Sequence, residues 1–177
     1  MRITLSGPIG SGKSTVGILL SRKLQIEFIS GGEIFRQNAR KHNMTLAEFG
    51  KYAETNPEID REQDQGLLQL MREKEDIVLE SRLAGWIATK NAIDATRIYI
   101  DADIEVRIER VMKREGGTRE EVMQLVKERE ASELKRYMKY YGIDYRIPEY
   151  YDIIIDTTKI SAEEGADIIY AGINPTC

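Results

Sequence analysis

A glycine-rich segment near the start of the sequence has the residue types and the spacing that bind phosphate. It fits the pattern G-x-x-x-x-G-K-[ST] with the residues Gly7, Pro8, Ile9, Gly10, Ser11, Gly12, Lys13 and Ser14. Glycines let backbone N–H groups approach an anion closely, and the start of a following helix adds positive potential. We expect Lys13 to reach the β- and γ-phosphates, Ser14 to offer its hydroxyl to Mg²⁺, and Thr15 to lie near the α-phosphate. The segment, called the phosphate loop below, therefore predicts a nucleoside triphosphate site.

Two strings that a GTPase needs are missing from the sequence. A GTPase combines this loop with a D-x-x-G switch and an N-K-x-D base-reading string, and neither occurs in the 177 residues. Motor and transporter ATPases need a much longer chain. The loop therefore favours a compact phosphotransferase. A regulatory ATP-binding module without transferase activity stays open as the alternative.

Arginines occur where a second phosphate group could bind. Arg36 follows the second predicted strand and Arg82 follows the third. Both can reach an anion beside the phosphate loop, because parallel strands end along one crevice. A later helix carries three arginines on one face, namely Arg107, Arg110 and Arg114. For each of these residues a solvated surface charge is the alternative, and it is the favoured interpretation for Arg107.

A second charged stripe follows an apolar one along the same helix. Val122 and Val126 are continued by Arg129, Glu133 and Arg136, at i, i+4 and i+7 spacing. Unpaired guanidinium groups are too costly to bury in a core, so the stripe indicates a cleft. We expect its arginines to lack protein partners in the free protein, and the stripe to close as a jaw on bound nucleotides.

Short apolar segments alternate with helical periods along the chain. The predicted strands are 2–6, 27–30, 77–80, 97–101 and 152–156, and the predicted helices are 13–24, 45–52, 57–73, 103–115, 118–141 and 161–171. This alternation predicts an α/β fold whose parallel sheet is covered on both faces. The sequence contains no internal repeat and no linker that would divide it, so we expect one domain.

The composition excludes several classes of protein. Lys and Arg number 26 and Asp and Glu 30, giving a net charge of −4, whereas nucleic-acid-binding domains usually carry a basic excess. One cysteine, Cys177, and one histidine, His42, can form neither an internal disulfide nor a Cys/His zinc site. The apolar runs are strand-sized, and the sequence does not open on a signal-peptide pattern. We therefore expect a cytoplasmic protein that binds neither nucleic acid nor membranes.

Five further segments of the sequence form a recognisable set. They are S-G-G-E-I-F-R at 30–36, E-S-R-L-A-G-W at 80–86, E-R-V-M-K-R at 109–114, E-R-E-A-S-E-L-K-R at 128–136 and D-T-T-K-I-S at 156–161. Together they resemble the nucleoside monophosphate kinases, and most of all the archaeal-type cytidylate kinases. The segments at 80–86 and 128–136 point to cytidylate rather than adenylate kinases. The likeness covers nearly the whole chain.

This resemblance implies a fold and a division of the chain. The fold is that of a P-loop NTPase of the nucleoside monophosphate kinase-like type, a three-layer αβα sandwich with five parallel strands in the order 2-3-1-4-5. Residues 1–177 form one kinase domain in this interpretation. Within it, a monophosphate-binding helical segment spans about 31–73, and a short lid spans about 110–136.

The resemblance also implies roles for individual residues. The catalytic residues, which stabilise charge on the transferring phosphoryl group, are Lys13, Arg114, Arg129 and Arg136. Arg110 contacts ATP together with loop residues 7–15. The acceptor nucleotide is held by Arg36, Arg82, Arg129, Glu133 and Arg136, with Glu133 on the ribose. Ser14 binds Mg²⁺ directly, and Glu80 binds it through water.

These roles imply transfer of the γ-phosphoryl group of Mg·ATP to CMP or dCMP, giving ADP and CDP or dCDP. We expect the protein to be a monomer, although the sequence does not determine the oligomeric state. Adenylate kinase or another small-acceptor kinase stays open as the alternative within the class. The sequence leaves the choice between CMP and UMP open, and also the choice between ribose and deoxyribose.

Overall fold

The computed structural model describes residues 1–173, and Cys177 lies outside them. These residues form five parallel strands, which are β1 (Arg2–Ser6), β2 (Glu27–Ser30), β3 (Ile77–Glu80), β4 (Thr96–Asp101) and β5 (Ile153–Asp156). Their order in the sheet is β2-β3-β1-β4-β5. The first strand of the chain is therefore the central strand of the sheet, with Arg2 opposite Ile77 on one side and Ile3 opposite Thr96 on the other.

Eight α-helices surround this sheet in the described part of the chain. They are α1 (Lys13–Leu24), α2 (Gly31–Lys41), α3 (Leu46–Ala53), α4 (Pro57–Glu73), α5 (Ala84–Lys90), α6 (Ile104–Glu115), α7 (Arg119–Tyr141) and α8 (Ala162–Ile173). Among residues 1–173 we find no helix that is both long and apolar enough to cross a membrane.

Side chains along each buried strand point alternately to the two faces of the sheet, and helices cover both faces. Ile3 and Leu5 of β1 belong to an apolar cluster with α1 and α8, whereas Ile77 and Leu79 of β3 pack in a second cluster with α4 and α5. A third cluster joins Ile9 of the phosphate loop to the apolar faces of α6 and α7. The predicted α/β class, the three layers and the strand order 2-3-1-4-5 are confirmed.

The residues at which several predicted helices begin are N-terminal capping residues in the structure. Thr45 and Thr118 precede their helices, and each forms a reciprocal capping box with a glutamate three residues later. Ser161 caps α8 in the same way, because its hydroxyl accepts a hydrogen bond from the backbone N–H of Glu164 and its own N–H donates to the Glu164 carboxylate.

The helical periods in the sequence predict neither α2 nor α5, and both helices begin in glycine-containing segments. The pair Gly31-Gly32 directly follows the second predicted strand, and α2 begins there because the Ser30 hydroxyl accepts a hydrogen bond from the Glu33 N–H. The other helix, α5, has only seven residues and no side-chain cap.

Candidate active site

A cavity of about 440 Å³ lies where β1, β2 and β3 end. Its wall is formed by the phosphate loop, by α2–α4, by the segment after β3 and by α7. Eleven of the predicted site residues line it, namely Ile9, Gly10, Lys13, Ser14, Arg36, Glu80, Arg82, Arg114, Arg129, Glu133 and Arg136. The structure thus brings together residues that the sequence places in five separate segments.

The phosphate loop follows a path that only glycine permits at certain positions. Gly10 has a φ of 79°, and a Cβ atom there would lie 2.5 Å from the backbone oxygen of Arg107. Gly7 approaches the backbone of Ile100 even more closely, and Gly12 has a φ of 92° just before α1 begins. The loop is therefore held between the end of β4 and the start of α6, with its backbone free of side chains on the near side.

Lys13 is buried at the start of α1, with its side chain folded back over the loop. Its Nζ donates a hydrogen bond to the backbone oxygen of Pro8 at 2.7 Å. Burial, together with the nearby positive charge of Arg82 and against the opposing effect of Glu80, lowers the pKa of Lys13 to about 7. A phosphate group beside this ammonium would restore its charge, so the site is suited to an anion.

Oxygen ligands suited to Mg²⁺ meet beside Lys13. Glu80 is buried at the end of β3, and its Oε2 accepts a hydrogen bond from the Ser14 hydroxyl at 3.3 Å. The Ser30 hydroxyl donates to the same oxygen. Mg²⁺ prefers hydroxyl, carboxylate and water oxygens, and it usually keeps several waters and binds substrate phosphates. The residues present therefore fit Mg²⁺ held by Ser14 directly and by Glu80 through water.

Arg82 and Glu133 form an ion pair inside the cavity. Nε of Arg82 donates to Oε2 of Glu133 at 2.8 Å, and the two side chains are only 15% and 14% exposed. Burial raises the pKa of Glu133, but the guanidinium groups of Arg82, Arg136 and Arg129 together outweigh burial and hold that pKa below its ordinary value. Glu133 is therefore an anion in this structure, fixed by Arg82.

Arg136 is paired with a carboxylate that the sequence analysis did not assign. Its Nε donates to Oδ2 of Asp60 on α4 at 2.8 Å, and both side chains are almost fully buried. Its Nη1 also donates to Ser132 Oγ and to the backbone oxygen of Gly50. The expectation that the stripe on α7 lacks protein partners is therefore wrong for Arg136, because α4 supplies one.

Arg129 is the member of that stripe with an unsatisfied group. Within residues 1–173, its buried Nη1 donates no hydrogen bond, and its ion-pair partner, Oε1 of Glu115, is 3.7 Å away. Burial lowers the pKa of Arg129, although an arginine remains charged at neutral pH. A buried cation without a close partner is suited to a ligand phosphate.

Arg36 and Arg114 line the cavity with half-exposed side chains. Nε of Arg36 donates to Glu33 at 2.8 Å, and Nη2 of Arg114 contacts Glu115. Surface pairs of this kind contribute little to stability, so both guanidinium groups can exchange their partners for phosphate oxygens at small cost.

The sequence model of the cytidylate kinase-like family matches residues 2–159. The chain belongs to the cytidylate kinase-like family. The resemblance that the sequence segments indicated is thereby confirmed.

Two relatives show how far the likeness to this family extends. The cytidylate kinase of Archaeoglobus fulgidus is 43% identical, over 98% of this chain and 94% of its own length. That of Pyrococcus furiosus is 45% identical, over 97% of this chain and 88% of its own length. Among solved structures, the shikimate kinase of Aquifex aeolicus superposes with a TM-score of 0.62 at 24% identity, covering 98% and 96% of the two chains. That last likeness concerns the fold alone.

In this member of the cytidylate kinase-like family, Arg110 lies against the phosphate loop rather than in the cavity. Its Nη1 donates to Thr157 Oγ1 at 2.9 Å and its Nη2 to the Thr157 backbone oxygen at 2.7 Å. Thr157 in turn donates to the backbone oxygen of Ser11. The segments at 109–114 and 156–161 therefore meet at the loop. The other predicted loop residues, Gly7, Pro8, Ser11, Gly12 and Thr15, do not line the cavity.

Arg107 and Glu130 form a pair that holds the phosphate loop in place, and this pair was not predicted from the sequence. Nη1 of Arg107 donates to the backbone oxygen of Ile9 at 3.0 Å and to Oε1 of Glu130 at 2.6 Å. The same Glu130 oxygen accepts from the Ile9 N–H at 3.2 Å. The favoured interpretation of Arg107 as a solvated surface charge is wrong, since its side chain is 11% exposed. The feature of the sequence that could have indicated Glu130 is its position next to Arg129, a predicted site residue.

Proposed function

We propose that this protein is a cytidylate kinase, which transfers the γ-phosphoryl group of ATP to CMP or dCMP and releases ADP and CDP or dCDP. The observation that supports it best is the single cavity in which Lys13 of the phosphate loop faces the same space as Arg36, Arg82 and Arg129. Phosphoryl transfer requires two phosphate groups in line and positive charge around them, and little else from the protein.

On the donor side, the phosphate loop binds the triphosphate of ATP. Its backbone N–H groups and the start of α1 supply partial positive charge, and Lys13 leaves the Pro8 oxygen to contact the β- and γ-phosphates. Mg²⁺, when bound by Ser14 and through water by Glu80, neutralises charge on these phosphates. Arg110, anchored on Thr157, contacts the donor nucleotide beside the loop.

On the acceptor side, Arg36 and Arg82 bind the monophosphate. Arg129 and Arg114 contact the transferring phosphoryl group from α7 and from the end of α6, so the added charge is offset as the bond changes. Glu133, already oriented by Arg82, accepts hydrogen bonds from the ribose hydroxyls. Arg136 supports this arrangement, because its contacts with Asp60 and Gly50 join α7 to the wall formed by α3 and α4.

The chain is further proposed to divide into three functional parts. Residues 31–73 form the acceptor-binding segment, which consists of α2, α3 and α4. Residues 110–136 form the lid, and closure of this lid excludes water that would otherwise hydrolyse ATP. Gly116 and Gly117 have φ values of 77° and 92° between α6 and α7. They are the proposed hinge, because their backbone can change conformation without steric cost.

A coupled assay of ADP release across CMP, dCMP, UMP, AMP and GMP tests this proposal. We expect ADP release to depend on added CMP or dCMP, and Lys13→Ala to lower kcat by a factor of about 100 or more, as for removal of one charge-stabilising group. Lys23→Ala, on the same helix but in a surface ion pair with Asp167, is the matched control. ADP release that no monophosphate stimulates would favour a regulatory ATP-binding module, and preference for another monophosphate would favour a different acceptor.

A further inference from the structure

The wall of the cavity formed by α3 and α4 has a polar pair that phosphate binding leaves unused. From α3 and the residue that follows it, this wall includes Leu46, Ala47, Gly50, Lys51 and Glu54. Two polar side chains of α4, Asp60 and Gln63, also line the cavity. They are three residues apart, so they lie on one face of the helix. Neither carries positive charge, so neither is suited to a phosphate group.

Gln63 carries an amide oxygen whose hydrogen-bonding capacity is unused. Within residues 1–173, its Oε1 is buried and accepts no hydrogen bond. Native proteins rarely leave such an atom unsatisfied, so an unpaired amide oxygen in the wall of a binding cavity is suited to a hydrogen-bond donor of a ligand. A glutamine amide offers one acceptor and two donor hydrogens on adjacent atoms, which matches the edge of a nucleic-acid base.

Asp60 supplies a fixed acceptor beside this amide. Its Oδ2 accepts from Nε of Arg136 at 2.8 Å, and the side chains of Asp60 and Arg136 are 5% and 4% exposed. Arg136 is itself held by Ser132 and by the backbone oxygen of Gly50. The carboxylate therefore cannot turn away when a ligand enters, so it favours hydrogen-bond donors and repels acceptors at that position.

The bases of CMP and UMP differ in what they present to such a pair. Cytosine carries an exocyclic amine, N4, beside the acceptor N3, whereas uracil carries the acceptor O4 beside a donor N3–H. Carboxylates accept from cytosine N4. A glutamine amide can accept from N4 and donate to N3, but it can also rotate to suit uracil. The fixed Asp60 carboxylate removes that freedom, because uracil O4 would face its negative charge.

We propose that Asp60 and Gln63 contact the base of the acceptor nucleotide and select cytosine over uracil through its exocyclic amine, an inference that rests on the proposed kinase function. Gln63 completes the contact, and Asp60 sets its direction. Arg136 acts as a positioning residue, since it holds the Asp60 carboxylate.

The test compares the ratio of kcat/KM for CMP to kcat/KM for UMP in wild type, Gln63→Leu and Asp60→Asn. We expect each variant to lower this ratio about tenfold or more, in line with the discrimination that one bidentate base contact provides. The loss should appear in KM for the monophosphate, with KM for ATP unchanged. Gln65→Ala, an exposed position on the same helix, is the matched control and should keep the wild-type ratio.

A stability measurement keeps a structural role distinguishable from base recognition. Gln63→Leu removes an unsatisfied buried amide, so its thermal midpoint should equal or exceed that of wild type. Asp60→Asn breaks the pair with Arg136, and if it fails to fold, Gln63→Leu and Gln63→Glu carry the test. A folded Gln63→Leu protein with the wild-type CMP-to-UMP ratio would overturn the inference and leave the kinase function intact. A wild-type protein that phosphorylates neither CMP nor UMP would overturn both.

Discussion

The contact of Glu130 with the phosphate loop provides a sharp test of the site. In Glu130→Ala, the Ile9 N–H and Nη1 of Arg107 lose the carboxylate oxygen that both contact, at 3.2 and 2.6 Å respectively. Arg107 keeps its hydrogen bonds to the backbone oxygens of Ile9 and Ala102. Its charge, however, is left without a carboxylate partner in a site where its side chain is 11% exposed.

The size of the effect follows from this burial. Removing one partner of a fully buried ion pair costs about 3–5 kcal/mol in free energy of unfolding. Glu130 is 22% exposed, so water can replace part of what is lost, and the remaining carbonyl contacts of Arg107 offset more. We therefore expect a loss of about 2–3 kcal/mol. For a chain of this size, that loss corresponds to a fall in melting temperature of about 4–12 °C.

The measurement combines urea unfolding with nucleotide binding. Because Ile9 belongs to the phosphate loop, we expect the affinity for ATP to fall several-fold while the affinity for CMP changes less. Glu120→Ala, at an exposed position in the first turn of α7, is the control for an ordinary loss of charge on this helix. If Glu130→Ala matched Glu120→Ala in both stability and ATP affinity, the claim that this pair holds the loop would have to be abandoned.

Two further predictions concern groups whose pKa is shifted towards neutrality. Burial lowers the pKa of Lys13 to about 7. ATP binding at pH 8 should therefore take up about 0.9 proton in wild type and almost none in Lys13→Met. Titration calorimetry in buffers of different ionisation enthalpy measures this uptake. Burial raises the pKa of Asp64, which accepts a hydrogen bond from Tyr141, to about 7. The native state then keeps a proton that the unfolded state releases near pH 4, so the free energy of unfolding of wild type should fall as the pH rises from 5 to 8. The fall should be smaller in Asp64→Asn, as measured by urea unfolding at each pH.

The parts of the site that could be predicted from sequence are those whose chemistry is local. The phosphate loop is one continuous segment, and its strand and helix follow from residues on either side, so β1 and α1 have the predicted bounds. The capped helices are similar, because a capping residue and its partner are three positions apart. Local patterns of this kind require no knowledge of the packed structure.

The parts that could not be predicted depend on packing between distant segments. Asp60 and Arg136 are 76 residues apart in sequence, and nothing around Asp60 distinguishes it from the other acidic residues of α4. Gly31 directly follows the second predicted strand, and a Cβ atom there would lie 3.0 Å from the Ser81 side chain. The close approach of α2 to the segment after β3 therefore favours glycine, and the local sequence does not record this tertiary contact.

The central position of β1 has a consequence for how the chain is made. Its neighbour β3 is reached 75 residues later, since Arg2 pairs with Ile77, and translation at the usual rate needs about 4–15 s for that length. During this interval a newly made apolar strand, containing Ile3 and Leu5, has both edges open on the ribosome. Of the two helices that pack in the cluster with those residues, α1 is made early in this interval, whereas α8 is made last. Codon changes that slow translation between residues 24 and 77 should therefore lower the soluble yield more than the same changes placed after residue 101.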